Sequence, residues 1–274
     1  MSLVSTEWLQ KNLNNVKIID SSWHLPNTKR NGYKEYLKNH IKNSLFFDID
    51  KCSKKNTDLP HMLVDISEWE KIVSDMGIEN SDEIVIYDNS DLVSSCRCWY
   101  NFLYFGHNPK FIKILNGGFK KWMNEGREVS TDIERVNKTN YQAKEKKILV
   151  KNKKQIDENI LTAEFKLIDA RSLNRFRGIE KEPREGLRSG SIPNSFCLPF
   201  GNCINKDTNE FLDVLKLEEK FKEILKDIKD TNIVFTCGSG VTASVLAFAL
   251  SLINNKYLPI IYDGSWSEYG KYPS

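Results

Sequence analysis

Cys237 stands where an apolar run meets a glycine-containing loop, in the segment Ile233-Val-Phe-Thr-Cys237-Gly-Ser-Gly-Val-Thr-Ala243. The apolar run is typical of a buried strand, and Val241 to Ile253 predicts a helix. Gly238 and Gly240 tolerate positive φ, so successive backbone N–H groups can turn toward the thiol, and the helix N-terminus adds partial positive charge. We therefore predict a reactive thiolate that solvent can reach, rather than an inert buried cysteine.

Two chemistries use a cysteine in such a loop. A cysteine-dependent phosphatase needs an arginine six residues after the nucleophile, because the phosphoryl oxygens require a bidentate guanidinium. Ala243 occupies that position, which nearly excludes a phosphatase. The remaining chemistry carries sulfur as a persulfide on Cys237, whose outer atom the loop N–H groups can hold. The predicted persulfide loop consists of Gly238, Ser239, Gly240, Val241 and Thr242.

The other cysteines lack the spacing of a metal site. Zinc sites use paired Cys-x₂₋₄-Cys ligands or a nearby histidine partner, and no such pattern occurs. We therefore predict no metal and no cofactor. The five remaining cysteines are Cys52, Cys96, Cys98, Cys197 and Cys203.

The chain repeats itself at a nearly constant offset, which identifies two homologous halves. Val16 to Asp20 recurs as Phe165 to Asp169, and Glu83 to Asp88 recurs as Asn232 to Cys237. Asp88 therefore holds the cysteine position of the first half, so only the second half can perform thiol chemistry. Two further pairs of segments keep the same order: His40 to Ser44 with Ser191 to Ser195, and Leu115 to Phe119 with Tyr262 to Trp266.

Short β-branched runs alternate with helical stretches in both halves. This alternation indicates βαβ units and predicts an α/β fold in which each half is a mainly parallel sheet with helices on both faces. A polar stretch over residues 130–155 is typical of a connector, and we place the boundary near residue 138. The predicted helices are Ser67 to Met76, Leu217 to Ile228 and Val241 to Ile253.

The composition of the chain argues against a disordered protein, a membrane protein and a nucleic-acid-binding protein. The 274 residues are 40% hydrophobic and 28% charged, which is typical of a globular chain and excludes disorder as a whole. The longest apolar run, Val245 to Ile253, is far shorter than the roughly 20 residues of a membrane span. Basic and acidic residues are interspersed, which argues against nucleic-acid binding. Cysteine usage and the N-terminal composition predict a cytoplasmic protein, with a mitochondrial location as the alternative.

Six segments carry a family resemblance: Phe46-Phe-Asp-Ile-Asp50, His61-Met-Leu63, Asp169-Ala-Arg171, Arg175-Phe-Arg-Gly-Ile-Glu-Lys-Glu-Pro-Arg184, Cys237-Gly-Ser-Gly-Val-Thr-Ala243 and Tyr262-Asp-Gly-Ser-Trp266. On these segments the chain resembles two-domain rhodanese-type sulfurtransferases over essentially its whole length. This resemblance implies two tandem rhodanese-like domains, a non-catalytic one over residues 1–138 and a linker with a catalytic one over residues 139–274.

The resemblance also implies a donor and an acceptor of sulfur. Family members that use the thiosulfate dianion place cationic residues directly after the nucleophile, whereas Gly238 and Ser239 are neutral. The loop is similar to that of members that use 3-mercaptopyruvate. The expected acceptor is a thiol, such as thioredoxin or a small thiol, or cyanide. A thiosulfate:cyanide sulfurtransferase and a sulfur-relay or sensor module without turnover remain as alternatives.

Residue roles follow from the same resemblance. Arg175 and Arg184 match the positions that bind the substrate carboxylate and carbonyl, and a planar guanidinium suits a carboxylate because it binds bidentately. Asp50, His61 and Ser239 match a serine-protease-like triad, in which Asp50 orients His61 and His61 bonds to Ser239. We therefore expect Cys237, Ser239, His61 and Asp50 to act in catalysis.

Overall fold

The computed structural model describes residues 2–225, 232–254 and 256–272, which form two compact units. The first unit contains the chain up to Lys55 together with Leu63–Lys146 and Lys206–Glu210. The second contains Asn56–Met62, Lys147–Asn205 and the chain from Phe211 onward. Each unit therefore includes a short segment that lies, along the chain, inside the other unit. Asn56–Met62 brings His61 into the second unit.

The first unit is built on a parallel five-stranded sheet with the order β1-β5-β4-β2-β3. In the central pairing of β2 with β4, Asp20 lies opposite Tyr87, so the carboxyl ends of these strands meet at one edge. The strands are β1 (Leu3–Val4), β2 (Lys17–Asp20), β3 (Ser44–Phe46), β4 (Ile84–Tyr87) and β5 (Ile112–Leu115).

The second unit repeats this topology with the order β6-β10-β9-β7-β8, again with parallel pairing throughout. The predicted α/β fold with two similar halves is thereby confirmed. Sequence patterns missed the strands of two or three residues at the sheet edges, because a segment of that length is too short to show a periodicity. The strands are β6 (Val150–Lys151), β7 (Lys166–Asp169), β8 (Phe196–Cys197), β9 (Ile233–Thr236) and β10 (Ile260–Tyr262).

Helices connect the strands in both units. The helix predicted over Val241–Ile253 is observed with these bounds, and the one predicted from Ser67 begins one residue earlier. The helix predicted over Leu217 to Ile228 is observed as Val214–Leu225, and residues 226–228 lie outside the described residues. The helices are α1 (Thr6–Asn12), α2 (Gly32–Lys38), α3 (Ile66–Asp75), α4 (Ser95–Tyr104), α5 (Gly118–Asn124), α6 (Lys153–Thr162), α7 (Leu173–Phe176), α8 (Val214–Leu225), α9 (Val241–Ile253) and α10 (Ser265–Tyr269). Within residues 2–225, 232–254 and 256–272, no helix combines the length and apolarity needed to cross a bilayer.

Both faces of each sheet are buried, as a parallel sheet requires. All four residues of β4 are inaccessible to solvent. On one face of the first sheet, Val85 and Tyr87 pack in a cluster with Leu9 of α1 and Trp122 of α5. The corresponding cluster of the second unit joins Ile156 of α6, Leu167 of β7, Val234 of β9 and Trp266 of α10. On the opposite faces, Trp69 of α3 stacks on Phe105, and Phe221 of α8 meets Phe235 of β9 edge to face.

Asp20 is a buried carboxyl group at the end of β2. Burial, with a smaller contribution from the nearby Asp88, raises its pKa to about 7. The equivalent carboxylate of the second unit, Asp169 at the end of β7, is paired with Arg171 two residues later. In the first unit Ser22 takes the place of that arginine and donates to Asp20 from both its amide and its hydroxyl. Asp20 therefore lacks the cation that stabilises its counterpart.

We predict that Asp20→Asn raises the thermal stability above neutral pH. A folded-state pKa above the unfolded value favours the protonated carboxyl, so the native state loses stability as pH rises toward about 7. Asparagine keeps the acceptor for Ser22 and never ionises. Thermal unfolding should show a gain in Tm for the variant that is larger at pH 8.5 than at pH 5. A gain that does not change with pH would contradict this assignment of Asp20.

Candidate active site

Cys237 follows β9 directly, and its sulfur is bonded to its own loop. The Gly240 amide donates to Sγ over 3.2 Å. This contact depends on the left-handed backbone of Gly240, whose φ of 83° reverses the chain just before α9 begins. The loop amide predicted to face the thiol is therefore present at Gly240. The wider nest from Gly238 to Thr242 stays a prediction.

The carbonyl groups of the loop are held by the start of α10. Cys237 O accepts from Trp266 N (2.9 Å), and Gly238 O accepts from Ser267 N (2.9 Å) and from Ser267 Oγ (2.6 Å). Because a trans peptide places its N–H opposite its C=O, the amides of Gly238 and Ser239 point away from α10. Trp266 and Ser267 thus fix the direction of the loop dipoles. In the sequence, Trp266 stands out only within the repeat and within a segment that matches the family, so this role had no local signal.

The structure requires a glycine at position 238 for a reason other than the predicted positive φ. Its backbone lies outside the left-handed region, so it does not supply a positive φ. A Cβ on Gly238 would lie 3.3 Å from Arg175 Nη2 and 3.5 Å from Arg184 Nη1. The missing side chain therefore leaves room for two guanidinium groups next to the residue that follows Cys237. The structure brings both predicted substrate-binding arginines to the residue that follows Cys237.

Ser239 connects His61 to this group. His61 Nδ1 lies 2.9 Å from Ser239 Oγ, and Arg184 Nη2 donates to the same oxygen over 3.3 Å. His61 and Ser239 are 4% and 5% exposed, so water hardly competes for these bonds. One hydroxyl thus joins a group that can carry a proton to a group that can bind a carboxylate or carbonyl.

Asp50, the third member of the predicted triad, lies in the first unit. Its Oδ2 accepts from the indole Nε1 of Trp23 over 3.0 Å. This bond fixes one carboxylate oxygen. The pairing of Asp50 with His61 stays a prediction.

Arg175 is held by an acidic residue that the sequence analysis did not single out. Glu182 Oε2 accepts from Arg175 Nη2 (2.6 Å), and Oε1 accepts from Arg171 Nη1 (2.6 Å). Arg171 also pairs with Asp169 at the end of β7. The only local signal for Glu182 is an acidic residue inside a basic segment, between the two arginines that matched substrate-binding positions.

The thiol is less accessible than the sequence predicts. Cys237 is 2% exposed, and Val241, which begins the helix behind it, is 3% exposed. The expectation of a solvent-reachable thiol is therefore wrong for this conformation, because the strand end and the helix start enclose the sulfur. Reactivity at Cys237 then depends on a small reagent reaching the side on which the two arginines lie.

Four of the five remaining cysteines are poor nucleophiles. Burial raises the pKa of Cys52, Cys197 and Cys203 to about 12, and the pKa of Cys98 well above its usual range. These thiols hold very little thiolate at neutral pH. Across the part of the chain that the structure describes, no group of three or more His, Cys, Asp or Glu side chains could hold a metal ion.

In the first unit a carboxylate occupies the equivalent loop. Asp88 follows β4, and its two oxygens accept from Ser90 N (2.8 Å) and Ser95 N (2.9 Å). Its carbonyl accepts from Phe119 N over 2.9 Å, as that of Cys237 accepts from Trp266. Burial raises the pKa of Asp88. The loop amides of this unit are therefore already bonded to an internal carboxyl group.

The rhodanese-like domain family matches this chain twice, over residues 5–125 and 152–272. The chain belongs to the rhodanese-like family. The predicted resemblance and the predicted tandem arrangement are confirmed. The unmatched stretch contains the boundary predicted near residue 138, whose position stays a prediction.

Relatives with assigned activities are similar along almost all of the chain. The thiosulfate/3-mercaptopyruvate sulfurtransferase 1, mitochondrial, of Arabidopsis thaliana is 37% identical over 99% of this chain and 76% of its own length. The 3-mercaptopyruvate sulfurtransferase of Mus musculus is 34% identical over 98% and 91%, respectively. The crystal structure of SseA from Escherichia coli, described as a 3-mercaptopyruvate sulfotransferase, superposes with a TM-score of 0.86 at 27% identity, covering 98% of this chain and 100% of that one.

We predict that iodoacetate modifies Cys237 before Cys52 or Cys197, although those two are more exposed. The reagent is a small carboxylate that the arginines can attract, whereas the other two thiols are held protonated by their pKa of about 12. Peptide mass mapping over a time course at pH 7.5 measures the order. Modification of Cys52 or Cys197 first would support the inert alternative for Cys237.

Proposed function

We propose that this protein transfers the sulfur of 3-mercaptopyruvate to a thiol acceptor through a persulfide on Cys237 and releases pyruvate. One observation carries the proposal: Arg175 and Arg184 pack against the glycine that follows the nucleophile, while the loop itself is neutral. Such a site suits a small carboxylate with sulfur at its other end. The activities named for the relatives support the same class of reaction.

Substrate binding uses the two arginines together. A guanidinium grips a carboxylate through two parallel hydrogen bonds, which fixes both position and orientation. With the substrate carboxylate and carbonyl on Arg175 and Arg184, the substrate sulfur would approach Cys237 from the side on which these arginines lie. Because the site is buried, it favours a small sulfur donor over a bulky one.

The first half-reaction forms one bond and breaks one. The Cys237 thiolate attacks the sulfur of 3-mercaptopyruvate, an S–S bond forms, and the C–S bond breaks with its electron pair moving into the pyruvate enolate. The proton of the substrate thiol ends on the methyl carbon of pyruvate, so no net proton is taken up. Ser239 and His61 are the groups that would relay that proton.

In the second half-reaction, a thiolate acceptor attacks the outer sulfur and Cys237 leaves as a thiolate. The outer sulfur of the persulfide carries negative charge until the acceptor arrives, and this charge needs to be stabilised. The Gly240 amide, bonded to the inner sulfur, and the N-terminus of α9 supply positive dipole ends at this place. Thioredoxin, a small thiol and cyanide as acceptors stay predictions, as does the cytoplasmic location.

We predict that mixing the protein with 3-mercaptopyruvate, without acceptor, raises its intact mass by one sulfur atom. The Cys237→Ser variant should show no increase, because serine cannot hold the second sulfur. Cys197→Ser serves as the matched control and should gain mass like the wild type. A mass gain that persists in Cys237→Ser would contradict the proposed nucleophile.

We predict that Arg175→Lys or Arg184→Lys raises KM for 3-mercaptopyruvate about tenfold or more, because an ammonium cannot bind a carboxylate bidentately. Steady-state pyruvate release measures this effect. Arg177→Lys, an exposed change in the same segment, is the control and should leave KM unchanged. Equal KM values in all three variants would remove the binding assignment.

Thiosulfate:cyanide sulfur transfer is the second candidate, since the Arabidopsis relative is named for both donors. Comparing kcat/KM for the two donors on one preparation decides between them. Repeated pyruvate release also separates an enzyme from a sulfur-relay or sensor module, which would stop after one equivalent.

A further inference from the structure

We infer that Glu182 is a positioning residue that sets the donor selectivity of this site, by fixing Arg175 and by balancing its charge. This inference rests on the proposed function. Its structural basis is a row of four charged side chains, of which Asp169, Arg171 and Glu182 are buried and Arg175 is partly buried.

Glu182 binds two arginines at once. Its side chain is 2% exposed, and each carboxylate oxygen accepts a 2.6 Å bond, one from Arg171 and one from Arg175. A buried carboxylate is stable only where such partners compensate it. Arg175 Nε adds a third, longer bond of 3.3 Å. The carboxylate therefore determines where the guanidinium of Arg175 lies.

The other end of the row is anchored to the sheet. Arg171 makes side-chain bonds to Asp169, which ends β7, and donates to the carbonyl of Gly190 over 2.8 Å. Its guanidinium also lies 4.3 Å from the ring centroid of Trp266, whose amide holds the Cys237 carbonyl. Arg175 is thus connected through Glu182 to the strand end and to the residue that orients the nucleophile loop.

The geometry leaves one edge of Arg175 for a substrate. Glu182 uses Nε and Nη2, whereas Nη1 makes no hydrogen bond to the residues that the structure describes. The same Nη2 lies 3.3 Å from where a Cβ of Gly238 would be. A carboxylate arriving beside Gly238 can therefore meet the remaining edge of a fixed guanidinium.

The charges of the row cancel, because it contains two carboxylates and two guanidiniums. A sulfur donor that binds here therefore meets the oriented N–H groups of Arg175 rather than an excess of positive charge. This arrangement favours a monocarboxylate, because its binding depends on the geometry of the hydrogen bonds. The thiosulfate dianion would gain twice as much electrostatic binding energy from an excess positive charge, which the row does not provide. Removing the charge of Glu182 should shift the preference toward the dianion.

The test compares Glu182→Gln with Glu180→Gln. Glu180 is exposed, lies in the same segment and accepts from Ser172 Oγ, so it controls for a change of charge away from the row. For Glu182→Gln we expect the ratio of kcat/KM for 3-mercaptopyruvate to that for thiosulfate to fall about tenfold, equivalent to about 1.4 kcal/mol, through a higher KM for 3-mercaptopyruvate. Glu180→Gln should keep the wild-type ratio.

An unchanged ratio in Glu182→Gln protein that folds like the wild type overturns the inference. If Glu182→Gln does not fold, Glu182→Asp decides. Aspartate keeps the charge but is too short to bind both arginines, so KM for 3-mercaptopyruvate should rise about threefold or more without a gain in kcat/KM for thiosulfate. A wild-type KM in Glu182→Asp overturns the inference as well. Wild-type protein that releases no pyruvate would instead refute the proposed function.

Discussion

The hydrogen bonds that tie the Cys237 loop to its surroundings are the constraint on which the candidate active site depends. Two carbonyls of the loop are bonded to Trp266 and Ser267, and the sulfur is bonded to the Gly240 amide. Rotation of either carbonyl would reverse the peptide dipole that carries the amide of Gly238 or Ser239. In the predicted nest, a negatively charged sulfur would then meet the wrong end of that dipole.

The two units show how one topology supports two different loop chemistries. Both place an acidic or thiol side chain after the central strand. In both, a backbone amide from the helix that follows the next strand, α5 or α10, holds the carbonyl of that residue. In the first unit the Asp88 carboxylate accepts from its own loop amides. In the second unit the Cys237 sulfur accepts from the Gly240 amide. The first sheet also lacks an arginine beside Asp20, whereas Arg171 compensates Asp169 in the second.

The electrostatics of the site come from pairing rather than from an excess of basic residues. The segment from Arg171 to Arg188 is rich in arginine, yet Arg171 and Arg175 share the carboxylate of Glu182. Burying such a network costs desolvation energy, which the multiple bonds must offset. In return the guanidinium beside Gly238 has a defined direction, which a solvated arginine lacks. Ser239 is hydrogen-bonded to both Arg184 and His61, so it connects a guanidinium of the site to the imidazole that can transfer a proton.

The sequence by itself determined the features that local patterns encode. Strand and helix periodicity, together with the repeat, predicted the α/β halves, the site of Cys237 at a strand end, and the loss of the cysteine at Asp88. The edge strands were missed because two or three residues carry no period. Resemblance added Arg175, Arg184 and His61, but not their arrangement.

Only the tertiary structure decided which distant residues meet. His61 reaches Ser239 across a separation of 178 residues, because Asn56–Met62 belongs to the second unit. The burial of Cys237, the space that Gly238 leaves for two arginines, and the link through Glu182 likewise depend on side chains brought together by the sheet. Local propensity carries no information about such contacts, since they follow from packing between segments that are far apart in the chain.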